Sequence, residues 1–136
     1  MDFYSFTAKY MLSLTVLLIY VSPAFSMDDP EFSISRMVMS QTISEREPVH
    51  ITNTFSSNTE TVFCFLEARD IEIDTEVSIV WLYEGQEKAR VILPLQKGGR
   101  WRTFSSKIVK NMKGGWSVEL QEASGVVLNT VSFQIE

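Results

Sequence analysis

One cysteine and one histidine in 136 residues remove several chemistries before any motif is read. With Cys64 alone an internal disulfide is impossible, so the fold must hold without bridges even in an oxidising compartment. A zinc site needs three or four nitrogen or sulfur ligands, which Cys64 and His50 cannot supply, and no metal or other cofactor is expected. His50 lies in a polar stretch with no cue for a Ser or Cys partner, so nucleophilic catalysis has no visible base. Glycine is scarce, at six residues. Gly98-Gly99 and Gly114-Gly115 lack the lysine and helix of a phosphate loop. Asp70-Ile71-Glu72-Ile73-Asp74 lacks the glycine and length of a calcium loop and reads as a strand edge or connection. Positive charge is in the minority, with 12 Lys and Arg against 17 Asp and Glu and a net charge of -5. That balance argues against nucleic acid, whose phosphates need a basic surface.

A membrane-spanning run is also missing. Met11 to Val21, broken only by Ser13 and Thr15, is about half of the roughly 20 apolar residues a span requires. Lys9 precedes it and Ser22-Pro23-Ala24-Phe25-Ser26 follows, which is the order of a secretory signal. Residues 1–26 are therefore expected to be a signal peptide cut before Met27, leaving no stable membrane insertion. The expected location is exported, periplasmic or extracellular. Residues 27–31 are acidic, carry Pro30 and read as a flexible leader, and 32–136 is long enough for one domain with its own core.

What is present is alternation with a period of two. Phe32, Ile34 and Val38 alternate with polar residues until Ser44-Glu45-Arg46-Glu47-Pro48, where proline is expected to end the strand. Val49 to Glu60 reads as a short strand and a polar loop. Thr61 to Ala68 is apolar on both faces, as in a central strand, and places Cys64 in the interior as a small hydrophobe. Val77, Ile79, Trp81 and Tyr83 share one face of the next strand. A turn at Glu84-Gly85-Gln86 returns the chain through Val91, Leu93 and Leu95 as a hairpin. Trp116, Val118 and Leu120 point inward further on, and Val127, Val131, Phe133 and Ile135 close the chain. Turn signals every 8 to 12 residues and the lack of a helical period predict an all-β fold, an immunoglobulin-like antiparallel β-sandwich of about seven strands. Cys64 and Trp81 echo the cysteine-to-tryptophan spacing of immunoglobulin domains.

The densest stretch is Gly98 to Lys107. Its period places Trp101, Thr103, Ser105 and Lys107 on one face and Arg102, Phe104 and Ser106 on the other. Both faces are then partly covered, or a bulge re-aims one aromatic. Two roles are open to it. In the structural one, Trp101 and Phe104 fill the core and Arg102 pairs with a carboxylate such as Glu67 or Glu119. In the functional one, Trp101, Arg102, Ser105, Ser106 and Lys107 form a ligand or partner site suited to sugar rings or acidic groups.

Several landmarks carry a family resemblance: Arg46-Glu47-Pro48, Val62-Phe63-Cys64-Phe65 with Glu67, Val77 with Trp81, Gly85, Trp101-Arg102 with Ser105-Ser106-Lys107, Gly115-Trp116 with Val118, and Gly125 with Leu128 and Phe133. Together they cover nearly all of residues 27–136. On these residues the chain resembles the bacterial family called domain of unknown function 2914. The resemblance implies an extracytoplasmic β domain, often joined to other modules, with no established biochemical role. The family pattern has a histidine two residues before the tryptophan matched by Trp81, and this chain has Ile79 there. A function resting on that histidine does not carry over.

The expected function is thus an exported, non-catalytic module that binds a protein or glycan of the cell envelope, as an interaction or accessory domain. A carbohydrate-binding module is the first alternative, motivated by three tryptophans and four tyrosines. A hydrolase using two acidic residues is the second.

Overall fold

Burial alternates along some strands of this protein and is continuous through the middle of its central ones. The computed structural model describes residues 31–136, so the expected signal peptide (1–26) and the leader up to residue 30 lie outside the described residues. The strands are β1 (Ser33–Ser44), β2 (Glu47–Ile51), β3 (Thr54–Phe55), β4 (Thr61–Ile71), β5 (Thr75–Tyr83), β6 (Gln86–Leu95), β7 (Gly98–Ile108), β8 (Gly114–Glu122) and β9 (Val127–Ile135). No helix occurs among the described residues. The strands make a four-stranded sheet in the order β2-β1-β4-β7 and a five-stranded sheet in the order β3-β9-β8-β5-β6.

The long strands β1 and β4 to β9 match seven strands read from the sequence, β2 overlaps the short strand expected from Val49, and the two-residue β3 is an addition in the link from β1 to β4. The first, second and fifth long strands share one sheet and the other four share the second, an immunoglobulin-like division of strands. Every pairing is antiparallel except that of β3 with β9, which is parallel.

The core lies between the sheets. β4 contributes Val62, Cys64, Leu66 and Ala68, β5 contributes Val77, Ile79 and Trp81, and β8 contributes Trp116, Val118 and Leu120, all buried. Aromatic rings organise one end of this interior. Trp116 stacks on Phe133 at 5.8 Å, and Phe133 meets the edges of Trp81 at 6.1 Å and Phe55 at 5.7 Å. Trp81 also donates its indole N–H across the sandwich to Ser105 Oγ at 3.1 Å, which ties β5 to β7. Cys64 is a free, buried thiol whose pKa burial pushes up to about 12.

One expectation needs correction. Pro48 does not stop a strand; it sits inside β2 opposite Ile43, because β2 is a sheet edge and the missing donor costs no ladder bond there. Pro94 is tolerated in β6, the edge of the other sheet, for the same reason. Val127 is exposed and Leu128 packs on the core, and the register of β8 and β9 shifts between Leu120 and Gln121.

Candidate binding site on the outer face of the four-stranded sheet

A row of side chains that a soluble sheet would normally make polar is here mixed. The outer face of β4 carries Phe63, Phe65, Glu67 and Arg69, and β7 sets Ser106, Phe104, Arg102 and Arg100 opposite them. β1 adds Ser40, Val38 and Arg36 opposite Phe63, Phe65 and Glu67. Two ladders cross the sheet as a result, an apolar one through Val38, Phe65 and Phe104 and a charged one through Arg36, Glu67 and Arg102. Phe65 is only 1% exposed although it faces away from the core. Something must cover it.

The cover is the hairpin of β1 and β2. Ser44 pairs with Glu47 at the hairpin tip, yet Glu47 accepts two hydrogen bonds from Arg36, at 2.8 and 3.0 Å. Eight residues of straight strand would separate Arg36 from Ser44 by about 26 Å, beyond the reach of both side chains together. β1 therefore bends after its central part, and the tip folds back over the outer face of the sheet. At the tip Glu45 and Arg46 have φ of 51° and 62°, the left-handed pair of a two-residue type I′ turn. That turn normally holds Asn-Gly, so both residues sit there at a cost.

Between the tip and the sheet lies a cavity of about 550 Å³. Thr42, Ile43, Glu45 and Arg46 form its roof, Phe63 and Phe65 its floor, and the β7 residues Arg100 to Phe104 one wall. Phe63 packs on Phe104 at 5.9 Å, and the Arg36 guanidinium lies 4.8 Å from the Phe65 ring.

The charges beside the cavity form one network. Glu67, 3% exposed, accepts from Arg36 at 2.9 Å, Arg69 at 3.1 Å, Arg100 at 3.1 Å and the Ser35 hydroxyl at 2.7 Å. Glu47 is bridged by Arg36 at 2.8 Å, Arg102 at 2.6 Å and Arg100 at 3.5 Å. Hydrogen bonds from Arg36 and then Arg102 hold the Glu47 carboxyl down at about 2, and those from Arg36 and then Ser35 hold Glu67 at about 2. The same bonds raise the pKa of Arg36. Four guanidinium groups face two carboxylates, which leaves two positive charges in excess on a chain whose net charge is -5.

The residues singled out from the sequence do not all meet here. Trp101 and Arg102 line the cavity. Trp101 also packs on the core, and its buried indole N–H has no acceptor among the described residues. Arg102 bonds Glu47, rather than Glu67 or Glu119, because the folded hairpin brings that carboxylate over β7. Ser105 faces the interior as the acceptor for Trp81, while Ser106 is exposed on the outer face and Lys107 Nζ donates to the Ile108 carbonyl. Phe104 is 45% exposed and so does not fill the core as the structural reading expected. β7 follows β4 from Thr61 to Arg69 without a register shift, so its two aromatics divide between two partly covered faces and no bulge re-aims either.

Sequence reasoning missed Arg46, Arg100, Phe63 and Phe65 as neighbours of the site. The doubly apolar β4 was the available signal, since an outer face with two phenylalanines requires a lid.

Comparison with known proteins adds a family resemblance and little else. A sequence profile described as a protein of unknown function (DUF2914) matches residues 74–135, which span β5 to β9. The chain resembles that family, whose match includes Trp81, Trp101 and Arg102 but not the hairpin or β4. No curated protein matches the chain. Among solved structures, a β-glucosidase from Listeria innocua is similar in its free form, at 10% identity and a TM-score of 0.47, and in complex with glucose, at 11% and 0.46. Each comparison covers 77% of this chain and 16% of the glucosidase chain. At those values the likeness assigns no reaction to this protein.

Proposed function

We propose that this chain is an exported, non-catalytic binding module of the bacterial envelope that recognises a protein partner through the cavity under the β1–β2 hairpin. The observation that carries this reading is the surplus of two positive charges beside an aromatic floor, on a protein that is acidic as a whole. Such a cavity takes an anionic group on Arg46, Arg100 and Arg102 and an apolar group on Phe63 and Phe104. Its volume lies within the range of sites that hold one small ligand or one anchoring segment. Arginine and aromatic side chains are also those that dominate the energy of protein interfaces.

The carbohydrate alternative has less support. It needs exposed, coplanar indole or phenol rings, whereas Trp81 is fully buried, Trp116 is buried, Tyr83 packs against Trp116 at 4.8 Å, and the half-buried Trp101 has no second indole or phenol ring beside it in the cavity lining. A hydrolase would need a carboxyl with a raised pKa, and the two carboxylates in the arginine network are shifted the other way.

The test uses N-acetylphenylalanine, which carries one carboxylate and one ring, and its neutral amide as the control. In an amide-resolved NMR titration the acid is expected to shift signals of Arg46, Phe63, Arg100 and Arg102, and the amide to shift none. Replacing the turn by Asn-Gly in the double variant E45N/R46G keeps the backbone and removes the Arg46 charge, and is expected to weaken the response. Equal responses to acid and amide, or shifts spread evenly over both sheets, would remove the reading. Export is tested separately by fusing residues 1–26 to a phosphatase that is active only outside the cytoplasm, where activity is expected.

A further inference from the structure

The edges of the two sheets are not protected alike. β2 has five residues and carries Pro48, and β3 has only two. β6 carries Pro94 and shifts register against β5 between Trp81 and Leu82. Short length, proline and register breaks are backbone means by which a sheet avoids recruiting a further strand of any sequence, whereas edge charges select against some partners only. β7 shows none of them. It runs for 11 residues without proline, and on the side away from β4 no described residue forms a backbone hydrogen bond with it. An edge strand leaves alternate N–H and C=O groups free to pair with another chain.

The side chains on β7 restrict which chain that is. The strand contains Arg100, Arg102 and Lys107 and no acidic residue. A second copy adding through the same edge would set three positive charges against three, which opposes self-pairing. The outward row reads Arg100, Arg102, Phe104, Ser106, Ile108, with Phe104 45% and Ile108 67% exposed. A neighbouring strand places its side chains about 5 Å from this row. Arg100 to Phe104 also all line the cavity, although consecutive residues of a strand point to opposite faces. The cavity therefore reaches the strand backbone itself, and a ligand there and a strand on the edge would be continuous.

We propose that β7 is the seat of strand addition by an acidic segment of a partner protein, with two carboxylates at alternate positions facing Arg100 and Arg102 and an apolar residue facing Phe104. The proposal rests on the reading that this module binds a protein partner, and adds the mode and the chemistry of the segment. Main-chain hydrogen bonds supply the affinity, and the acidic, acidic, apolar order of one face supplies the selection. That order holds for either chain direction, read forwards for a parallel addition and backwards for an antiparallel one.

The experiment is calorimetric titration of the purified protein with five synthetic nine-residue peptides. The first alternates threonine with a row of Glu, Glu, Phe and Val and the second carries that row reversed, one for each chain direction; the third has the same composition with the row scrambled, and the fourth is the better binder of the first two with every second amide N-methylated. The fifth carries the methyl groups on the other set of amides. One of the two ordered peptides is expected to bind best. One N-methyl set is expected to weaken it by about tenfold or more, the factor expected when two backbone bonds are lost, and the other set to change it about twofold or less. Equal effects of the two methylation sets would overturn strand addition. If N-acetylphenylalanine still binds in that case, the cavity reading survives and only this inference falls. Concentration-dependent dimerisation of the protein that neither ordered peptide reverses would also overturn it, since β7 would then pair with its own copy. The peptides leave the protein unaltered, so no outcome depends on a variant that fails to fold.

Discussion

Glu67 occupies an unusual place for a carboxylate, on the outward face of a central strand yet 3% exposed beneath three arginines. Coulomb attraction alone would not hold it there, because ion pairs near a surface are worth little. The Ser35 hydroxyl and three guanidinium groups fill its lone pairs, which makes burial tolerable. The variant Glu67→Gln leaves Arg36, Arg69 and Arg100 with one anion fewer, and is expected to lose about 2 kcal/mol in urea denaturation at pH 7, within the cost of breaking such a network. The pH dependence follows from the direction of the shifts. Folded Glu47 and Glu67 are both held at about 2, below the ordinary 4.5 they regain on unfolding. Their contribution is therefore complete above about pH 5 and is lost as pH falls toward 2. The gap in stability between the wild type and Glu67→Gln is expected to narrow over that window, and a gap that stays constant down to pH 2.5 would contradict the assigned network. Ser105 gives a second check at this scale. Ser105→Ala leaves the buried Trp81 indole N–H without its acceptor and is expected to cost about 1–3 kcal/mol, with the Trp81 emission shifted.

At the scale of elements, the β1–β2 hairpin decides whether the sheet has a site at all. Without its tip, Phe63 and Phe65 would form an exposed apolar patch, and with it they are the floor of a cavity. The tip is held by side chains, through Glu47 to Arg36 and Arg102, and its turn is unfavourable by itself. Glu45 and Arg46 occupy left-handed conformations that asparagine and glycine adopt more easily. E45N/R46G is therefore expected to stabilise the fold by about 1–2 kcal/mol while weakening ligand binding. A variant that loses both would show that Glu45 and Arg46 hold the hairpin closed and are not chiefly ligand contacts. This hairpin also marks the boundary of what the sequence made legible. Strands β4, β5, β8 and the β5–β6 hairpin were readable because one burial face imposes a period of two on their side chains, and Gly85 signals its turn. The folding back of β1 was not, since no residue type encodes a bend and the turn uses Glu-Arg where Asn-Gly would have announced it. Arg102 was recognised as needing a carboxylate, but Glu47 becomes its neighbour only through that bend. The structural role puts Phe104 in the core, whereas it is exposed, because periodicity gives the face of a residue and not what lies over it.

At the scale of the whole molecule, two sheets share a single interior, with no disulfide and, among the described residues, no cluster of potential metal ligands. Most of the stability comes from burial in that interior, which the bond between Trp81 and Ser105 crosses. Cys64 reports on whether the sheets separate together. It is fully buried on the inner face of β4, and its thiol pKa is pushed up to about 12, so at pH 8 the folded protein offers almost no thiolate to a disulfide reagent. Labelling requires the sandwich to open. In a urea series, the extent of Cys64 labelling after a short pulse is expected to follow the same transition as the fluorescence of the three tryptophans, as for a domain that unfolds as one unit. The alternative is specific. If the four-stranded sheet could detach as a unit, labelling would precede the fluorescence change, and the hairpin that roofs the cavity would be lost before the aromatic cluster of the other sheet. Because β4 pairs along its length with β7 and from Phe63 to Arg69 with β1 while its inner face packs against the opposite sheet, exposing Cys64 means giving up the shared interior, and the two transitions should coincide.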